Sequence, residues 1–447
     1  MTQPLPSLFG RALRGSAITA GSFACVQALR FGSNLILTRL LFPEAFGLMA
    51  LVSVVLIGLA MFSDVGIGPA IWQHRDGDQP DFLNTAWTIN VVRGTALWGL
   101  TCVLALPAAH LYRAPELASL LPAAGLTLLI AGFNPTRIDT ANRHLMLGRV
   151  TALDLISQVI GVAAIILLAW WLRSVWGLVI GAIIGSVAKL ALTWTLLPGA
   201  ANRPRWSMEA GHDLLRFGKW IFLSTACGFL LAQGDKAILG AYLTMEELGL
   251  YNIGYFLASF PVLLGGAVTS RILIPLYRDL HPERGGADAM RLRRLRLGLS
   301  GGMMLLLGGM ALCGTALVSL LYDARYQPAG AIAVAVACVQ MPLVVGMTYD
   351  QAALAAGQSR PFFALMALRA CVQTLAFLTG AALAGLAGAL IGQALAIYAT
   401  YPAVALFARR FGVWDRRHDL IFMALALGLT AAGLWANAGP LSDLLGS

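Results

Sequence analysis

The polar gaps between the long apolar runs of this chain alternate between basic and nearly uncharged. A stretch of roughly 20 mainly apolar residues is what a helix needs to cross about 30 Å of hydrocarbon. Charged residues make up only 12% of the 447 residues and hydrophobic ones 58%, and the mean hydropathy is +0.76. A soluble domain carries about 25% charged residues, so the chain reads as an all-α, polytopic membrane protein.

Thirteen candidate spans follow, near 17–40, 45–63, 82–108, 116–136, 151–172, 174–197, 219–241, 248–275, 297–321, 329–356, 361–384, 386–408 and 419–436. About 21 of the 31 Lys and Arg residues fall in the N-terminus and the even-numbered gaps, and about four in the odd-numbered ones. Cytoplasmic loops carry the Lys/Arg excess, which sets the N-terminus in the cytoplasm. Thirteen spans put the C-terminus outside; without a crossing at 419–436 it stays inside. The net charge of +10 is then a topological bias and an attraction to anionic headgroups of the lipid bilayer. It is no sign of a nucleic-acid partner, because no folded basic module accompanies it.

The first apolar run is long enough to span and no small-residue cleavage site follows it, so a cleaved signal peptide is not expected. Cys25, Cys102, Cys227, Cys313, Cys338 and Cys371 all fall within spans, without CxxC spacing or a His partner cluster. They read as small apolar packing residues, and no metal site is expected.

Shifted by 202 residues, Leu13–Leu48 meets Leu215–Leu250 without a gap, and about 13 of 36 positions are identical. Arg14/Arg216, Cys25/Cys227, Gly32/Gly234, Glu44/Glu246 and Gly47/Gly249 are among the matches. A weaker echo at offset 211 sets Gly177 and Gly181 beside Gly388 and Gly392. Six spans separate the copies, so both begin on the same side. Repeats of one orientation are related by a pseudo-two-fold along the membrane normal, and in transporters the substrate lies between such halves. The expected organisation is a six-helix lobe at 1–200, a second at 201–412, and an additional C-terminal hydrophobic helix and tail at 413–447.

Ionisable groups at membrane depth cost several kcal/mol and face a cavity or a partner. Arg30 lies about 13 residues into span 1, roughly 20 Å at helical rise. Gln27, Arg30, Asn34 and Thr38 share one helical face, a polar stripe that favours a cavity role over a structural partner. Arg93 and Arg369 sit about a third of the way into their spans, from where they reach the cytoplasmic interface as readily as a cavity. Lys236 adjoins Asp235 and is the repeat counterpart of Asn34. Lys189 follows Gly177, Gly181 and Gly185 on one face and reads as snorkelling from there to the interface, and Arg271 reads as an interfacial anchor. The substrate-binding candidates are therefore Arg30, Asn34, Gln27, Arg93, Arg369 and Lys236.

The acids within spans are Asp154, Asp235 and Asp350, with Asp64 at an edge. Each of the first three is a candidate for coupling to a proton or sodium gradient. Six bases against about four acids leave a net positive interior, which suits an anionic substrate because guanidinium groups bind phosphates bidentately. Ser7–Arg14 and Trp206–Lys219 read as amphipathic lead-ins at the interface. Arg291–Arg296 reads as a solvated, lipid-facing stretch, and Trp72, Trp87 and Trp98 as packing and belt residues.

No GxSxG, HExxH or phosphate loop is present, and the outside gaps hold only about 3 to 10 residues. A membrane glycosyltransferase or polymerase would carry larger loops, so no enzyme and no resident cofactor is expected. Without an ATP-binding module, energy must come from an ion gradient or a partner.

Several stretches resemble one family: LTRLLFPEAFGLMAL from Leu37, FSDVGIGPAIWQ from Phe62, ALDLISQVIG from Ala152, GDKAILGAYLTMEELGLYNIGYFLASFP from Gly234 and RILIPLYRDL from Arg271. They are similar to the polysaccharide (O-antigen-type, Wzx-like) flippases of the multidrug/oligosaccharidyl-lipid/polysaccharide exporter superfamily. The resemblance implies a MATE/MOP-like fold of two six-helix bundles related by a pseudo-two-fold, with 419–436 as an extra helix. It also implies alternating-access flipping of a polyprenyl-diphosphate-linked oligosaccharide across the bacterial inner membrane, for O-antigen, capsule or exopolysaccharide export. Polymerase and chain-length machinery would be its partners. The competing readings are a multidrug or cation antiporter of the same superfamily and a non-transporting scaffold of polysaccharide assembly.

Overall fold

The computed structural model describes residues 8–64, 66–279 and 287–446. The side chains of 8–20, 209–224, 271, 275, 279, 287–289 and 443–446 lie outside that description. So do the expected lead-ins at Ser7–Arg14 and, from residue 209, Trp206–Lys219, together with the anchor Arg271.

The described elements are helices, with no strand among them. In hydrocarbon every backbone N–H and C=O needs an internal partner, and the helix supplies it within one segment. In chain order they are α1 (Leu8–Leu40), α2 (Pro43–Phe62), α3 (Ile67–Gln73), α4 (Pro80–Leu111), α5 (Leu117–Gly132), α6 (Arg137–Arg143), α7 (Leu147–Leu172), α8 (Val175–Leu196) and α9 (Met208–Tyr242). Then come α10 (Met245–Asp279), α11 (Ala287–Leu321), α12 (Pro328–Gln340), α13 (Leu343–Met347), α14 (Gln351–Ala355), α15 (Ser359–Arg410), α16 (Arg416–Ala436) and α17 (Ala438–Gly446).

Every expected span falls on a helix or a broken helix. Among the described residues eight helices are long and apolar enough to cross a membrane, or up to ten if each bent pair is one span. The α5–α6 pair bends by 56° and the α12–α13 pair by 48°. Pro135 and Pro342 lie at these breaks, where a missing N–H and a fixed φ end regular helix. The 52-residue α15 holds two expected spans: Ala384 (φ −147°, ψ 36°) and Gly385 (φ 55°, ψ −136°) break it. Gly385 adopts backbone angles open to glycine alone among the common residues.

The chain divides into two compact units, Met1–Leu41 with Leu51–Ala226, and Phe42–Ala50 with Cys227–Ser447. In the first, α7 and α8 form a tight hairpin that turns at Arg173 (φ 46°) and Ser174. Gly177, Gly181 and Gly185 let the α8 backbone rest on Ala169, Ile165 and Gly161 of α7, the close approach that small residues give to helices in lipid. Gly94 of α4 meets Gly132 of α5 in the same way. The segment after α8 runs along α4, with the N–H groups of Arg203, Arg205 and Ser207 donating to the side chains of Asn84, Thr88 and Thr85. The indoles of Trp87 and Trp98 donate to the carbonyls of Phe133 and Pro122, which ties both rings into packing.

The second unit repeats the glycine device. Gly388 and Gly392 of the second arm of α15 rest on Gly380 and Ala376 of the first, so the two arms run antiparallel. These are the residues that echo Gly177 and Gly181 in sequence. Around this hairpin α10, α11 and α12 pack together, and α16 lies against α11, α12 and α13. The far end of α16 is clipped to α11: Asn437 Nδ2 donates to the Ala311 carbonyl at 3.0 Å, and Gly433 fits against Ala311. Within this unit Phe46 meets Tyr326 edge-on at 6.0 Å and the Arg325 guanidinium stands 4.6 Å over Phe42.

Candidate functional site

The stripe on α1 divides by burial. Gln27 and Thr38 are buried, Asn34 is half-buried and Arg30 is exposed. Among the described residues no ion pair involves the Arg30 guanidinium. Arg93 has partners: its Nε donates to Ser63 Oγ and its Nη2 to the Ala60 carbonyl, both at 2.9 Å. Those groups stand at the C-terminal end of α2, where unpaired carbonyls favour a cation. Lys189 does not merely reach for the interface, because its Nζ lies 2.9 Å from Asp154 Oδ1. The pair continues the glycine seam between α7 and α8.

In the second unit Asp235 and Lys236 turn to two tyrosines of α10. Tyr251 donates to Asp235 Oδ2 at 2.7 Å, and Lys236 Nζ stands 5.4 Å over the Tyr255 ring. Asp235 Oδ1 is buried without a hydrogen-bond partner, as is Gln340 Oε1, whose amide donates to Ser259 Oγ at 2.7 Å. A buried acceptor left open costs about 1–3 kcal/mol, and such groups call for an ion, a proton or a water.

Two separately chosen residues meet. Arg369 Nη1 lies 2.9 Å from both carboxylate oxygens of Asp350. Asp350 sits where α13 gives way to α14, and Arg369 on the first arm of α15. Gly346 of α13 makes room for the guanidinium, since a Cβ there would stand 2.8 Å from Arg369 Nη2. The pair lines a cavity of about 140 Å³ with Gln373, Thr400, Tyr401 and apolar walls from α10 to α16.

Next to this cavity lies a network that the sequence reading missed. Asp419 is 1% exposed and its carboxylate accepts four hydrogen bonds. Tyr349 and His418 Nδ1 donate to Oδ1 at 2.6 and 3.0 Å; Tyr401 and Trp414 donate to Oδ2 at 2.8 and 3.1 Å. His418 Nε2 pairs with Ser300 Oγ at 2.9 Å. Arg296, expected on a solvated face, is 2% exposed. It stacks 4.8 Å over the Tyr349 ring and donates to Tyr277 Oη and to the Val413 carbonyl. A guanidinium tolerates burial when its fork is occupied and its plane is stacked, which is why this arginine of the run turns inward. Asp419 follows Asp415, whose side chain caps α16, and that head-of-helix cluster was the available signal.

The fold is similar to those of solved membrane transporters. It is similar to an inward-facing multidrug resistance MATE family transporter of the MOP superfamily, at 16% identity, a TM-score of 0.61, and coverage of 89% of this chain and 95% of that one. It is also similar to the lipid II flippase MurJ, at 12% identity and a TM-score of 0.63, over 97% and 98% of the two chains. Residues 36–331 match the polysaccharide biosynthesis protein family, and the chain belongs to that family.

Among its relatives, the teichuronic acid biosynthesis protein TuaB of Bacillus subtilis (strain 168) is 22% identical over 61% of this chain and 56% of its own. The succinoglycan biosynthesis transport protein ExoT of Rhizobium meliloti (strain 1021) is 24% identical over 57% and 51%. The lipopolysaccharide biosynthesis protein WzxC of Escherichia coli (strain K12) is 23% identical over 62% and 56%. The chain thus spans about half the length of these relatives.

Proposed function

We propose that the protein moves a polyprenyl-diphosphate-linked oligosaccharide across the bacterial inner membrane as a step of polysaccharide export. Membership of the polysaccharide biosynthesis family over residues 36–331 carries this reading. The likeness in fold to MurJ, itself named a lipid II flippase, supports it. So does the chemistry of the chain, because a charged headgroup crossing hydrocarbon needs basic and polar partners and no covalent step. On this reading the protein is a transporter without enzymatic activity or a resident cofactor, its N-terminus is cytoplasmic, and a polymerase or chain-length protein receives its product. Arg30 is the foremost residue for the diphosphate, with Gln27, Asn34, Arg93, Lys236 and Arg369 as further polar contacts. Asp154, Asp235 and Asp350 are the carboxylates through which a proton or sodium gradient drives the cycle.

A cation antiporter is the second reading, favoured by the open carboxylate oxygen of Asp235. Vesicles holding the purified protein and a labelled lipid-linked oligosaccharide separate the two. Transfer between leaflets above that of empty vesicles is the expected result. Its absence, together with gradient-driven efflux of a cationic drug, replaces the first reading by the second. Neither movement leaves a scaffold.

A further inference from the structure

The Asp350–Arg369 pair bears on how an anion and a proton exclude one another. One carboxylate oxygen pair occupies one guanidinium nitrogen at 2.9 Å, and both residues are more than four-fifths buried. We propose that Asp350 and Arg369 form a proton-operated anion site: a proton on Asp350 frees Arg369 to take a phosphate group in the cavity beside them. The inference rests on the transport reading and names a second, smaller contact for the same class of substrate.

The surroundings supply the electrostatic reason. Asp350 is faced by Arg369 and Tyr401 of α15, by Tyr277 of α10, and beyond these by Arg296 of α11 and by His418 and Asp419 of α16; α12, α13 and α14 bring no other charge. Arg296 and Asp419 both bond into one tyrosine-linked network and offset one another. With Asp350 ionised the cavity wall is neutral. With Asp350 protonated it carries one uncompensated guanidinium, and a buried unpaired cation draws in an anion.

The cavity also fits the ligand in size and in donors. At about 140 Å³ it has room for one phosphate group. Gln373 lines it and offers a neutral amide donor to phosphate oxygens, while the hydroxyls of Tyr401 and Thr400 already donate to Asp419 and to the Ala396 carbonyl. The proton balance is simple: the anion binds, Asp350 takes one proton from water, and release returns both. Linkage makes the coupling reciprocal.

Binding of farnesyl diphosphate to the full-length protein in detergent, with proton uptake followed in weakly buffered solution, tests this. Wild type should take up close to one more proton per bound diphosphate than Asp350→Asn does. Its affinity should fall about tenfold more steeply per pH unit than that of D350N. Asp350→Glu, which stays titratable, should keep the uptake, and Arg369→Met should lose it along with this component of binding. Equal uptake and equal pH dependence in wild type and D350N overturn the proposal, as does unchanged uptake in R369M. Leaflet transfer in vesicles without the extra proton sinks the proton-operated site alone; coupled uptake without transfer sinks the transport reading alone.

Discussion

Gly47 and Gly249 hold the same place in the two sequence copies, and in the second unit they lie backbone to backbone. A Cβ on Gly47 would collide with the Met245 carbonyl, and one on Gly249 with the Pro43 carbonyl. Pro43 and Met245 are themselves counterparts at the same offset. The contact is therefore reciprocal, residue i on j and j on i, as two-fold contacts are. Glycine is required at both positions by the approach of two backbones, which have no side chain to move aside.

Gly47→Val or Gly249→Val should cost folded protein, by about 1–3 kcal/mol or more, the usual penalty of overpacking. Thermal melting in detergent reads this. Gly99→Ala is the control, because a Cβ at Gly99 meets nothing within 4 Å. Equal melting of G47V and G99A would remove the crossing as a packing constraint.

Arg30→Ala should slow leaflet transfer of a lipid-linked oligosaccharide at least tenfold at unchanged protein level. The expectation follows from an exposed guanidinium on a helix whose neighbouring polar positions, Gln27 and Thr38, are buried. Arg30→Lys should restore part of the rate, since an ammonium keeps the charge without the bidentate fork. Unaltered transfer in R30A would take the residue out of the site.

Arg296→Met should lower stability by about 2–4 kcal/mol, the range for losing charged hydrogen bonds and a buried stack. Arg291→Ala, at an exposed position of the same run, should move it by no more than about 0.5 kcal/mol. Comparing the two melting temperatures checks the inward turn of Arg296 directly.

The charge pattern also makes a topological prediction. In a background with the six native cysteines replaced, Arg291→Cys should react with an impermeant thiol reagent only from the cytoplasmic side. Ser442→Cys, just beyond α16, should react only from outside. Labelling of both from one side would show that α16 does not cross.

Much of the fold is legible because hydrocarbon imposes length and apolarity on each span, so the helices fall where the hydropathy places them. The two closest joints, at Arg173–Ser174 and Ala384–Gly385, followed from span length alone, with a single residue between neighbouring spans. Pairings were not. Asp350 and Arg369 were each conspicuous for their depth, yet 19 residues and a helix break separate them, and nothing local announces that they meet. Lys189 and Asp154 come together for a reason visible only once α7 and α8 are antiparallel. Arg296 was hidden among the four arginines of one run, where a single register position decides between water and Tyr349. Asp419 was overlooked because it opens an apolar segment, where an acid reads as a helix-capping charge.

The two glycine-sealed hairpins have a mechanical corollary. A reversal completed in two residues has no slack, so α7 cannot tilt without carrying α8, nor one arm of α15 without the other. Such a pair swings as one plank. Rearrangement in either unit must therefore be absorbed elsewhere, and the proline-broken joints at Pro135 and Pro342 are the places where the chain already bends. Asp350 stands eight residues beyond the second of these joints, so a proton on its carboxylate would act beside a bend already built into the backbone.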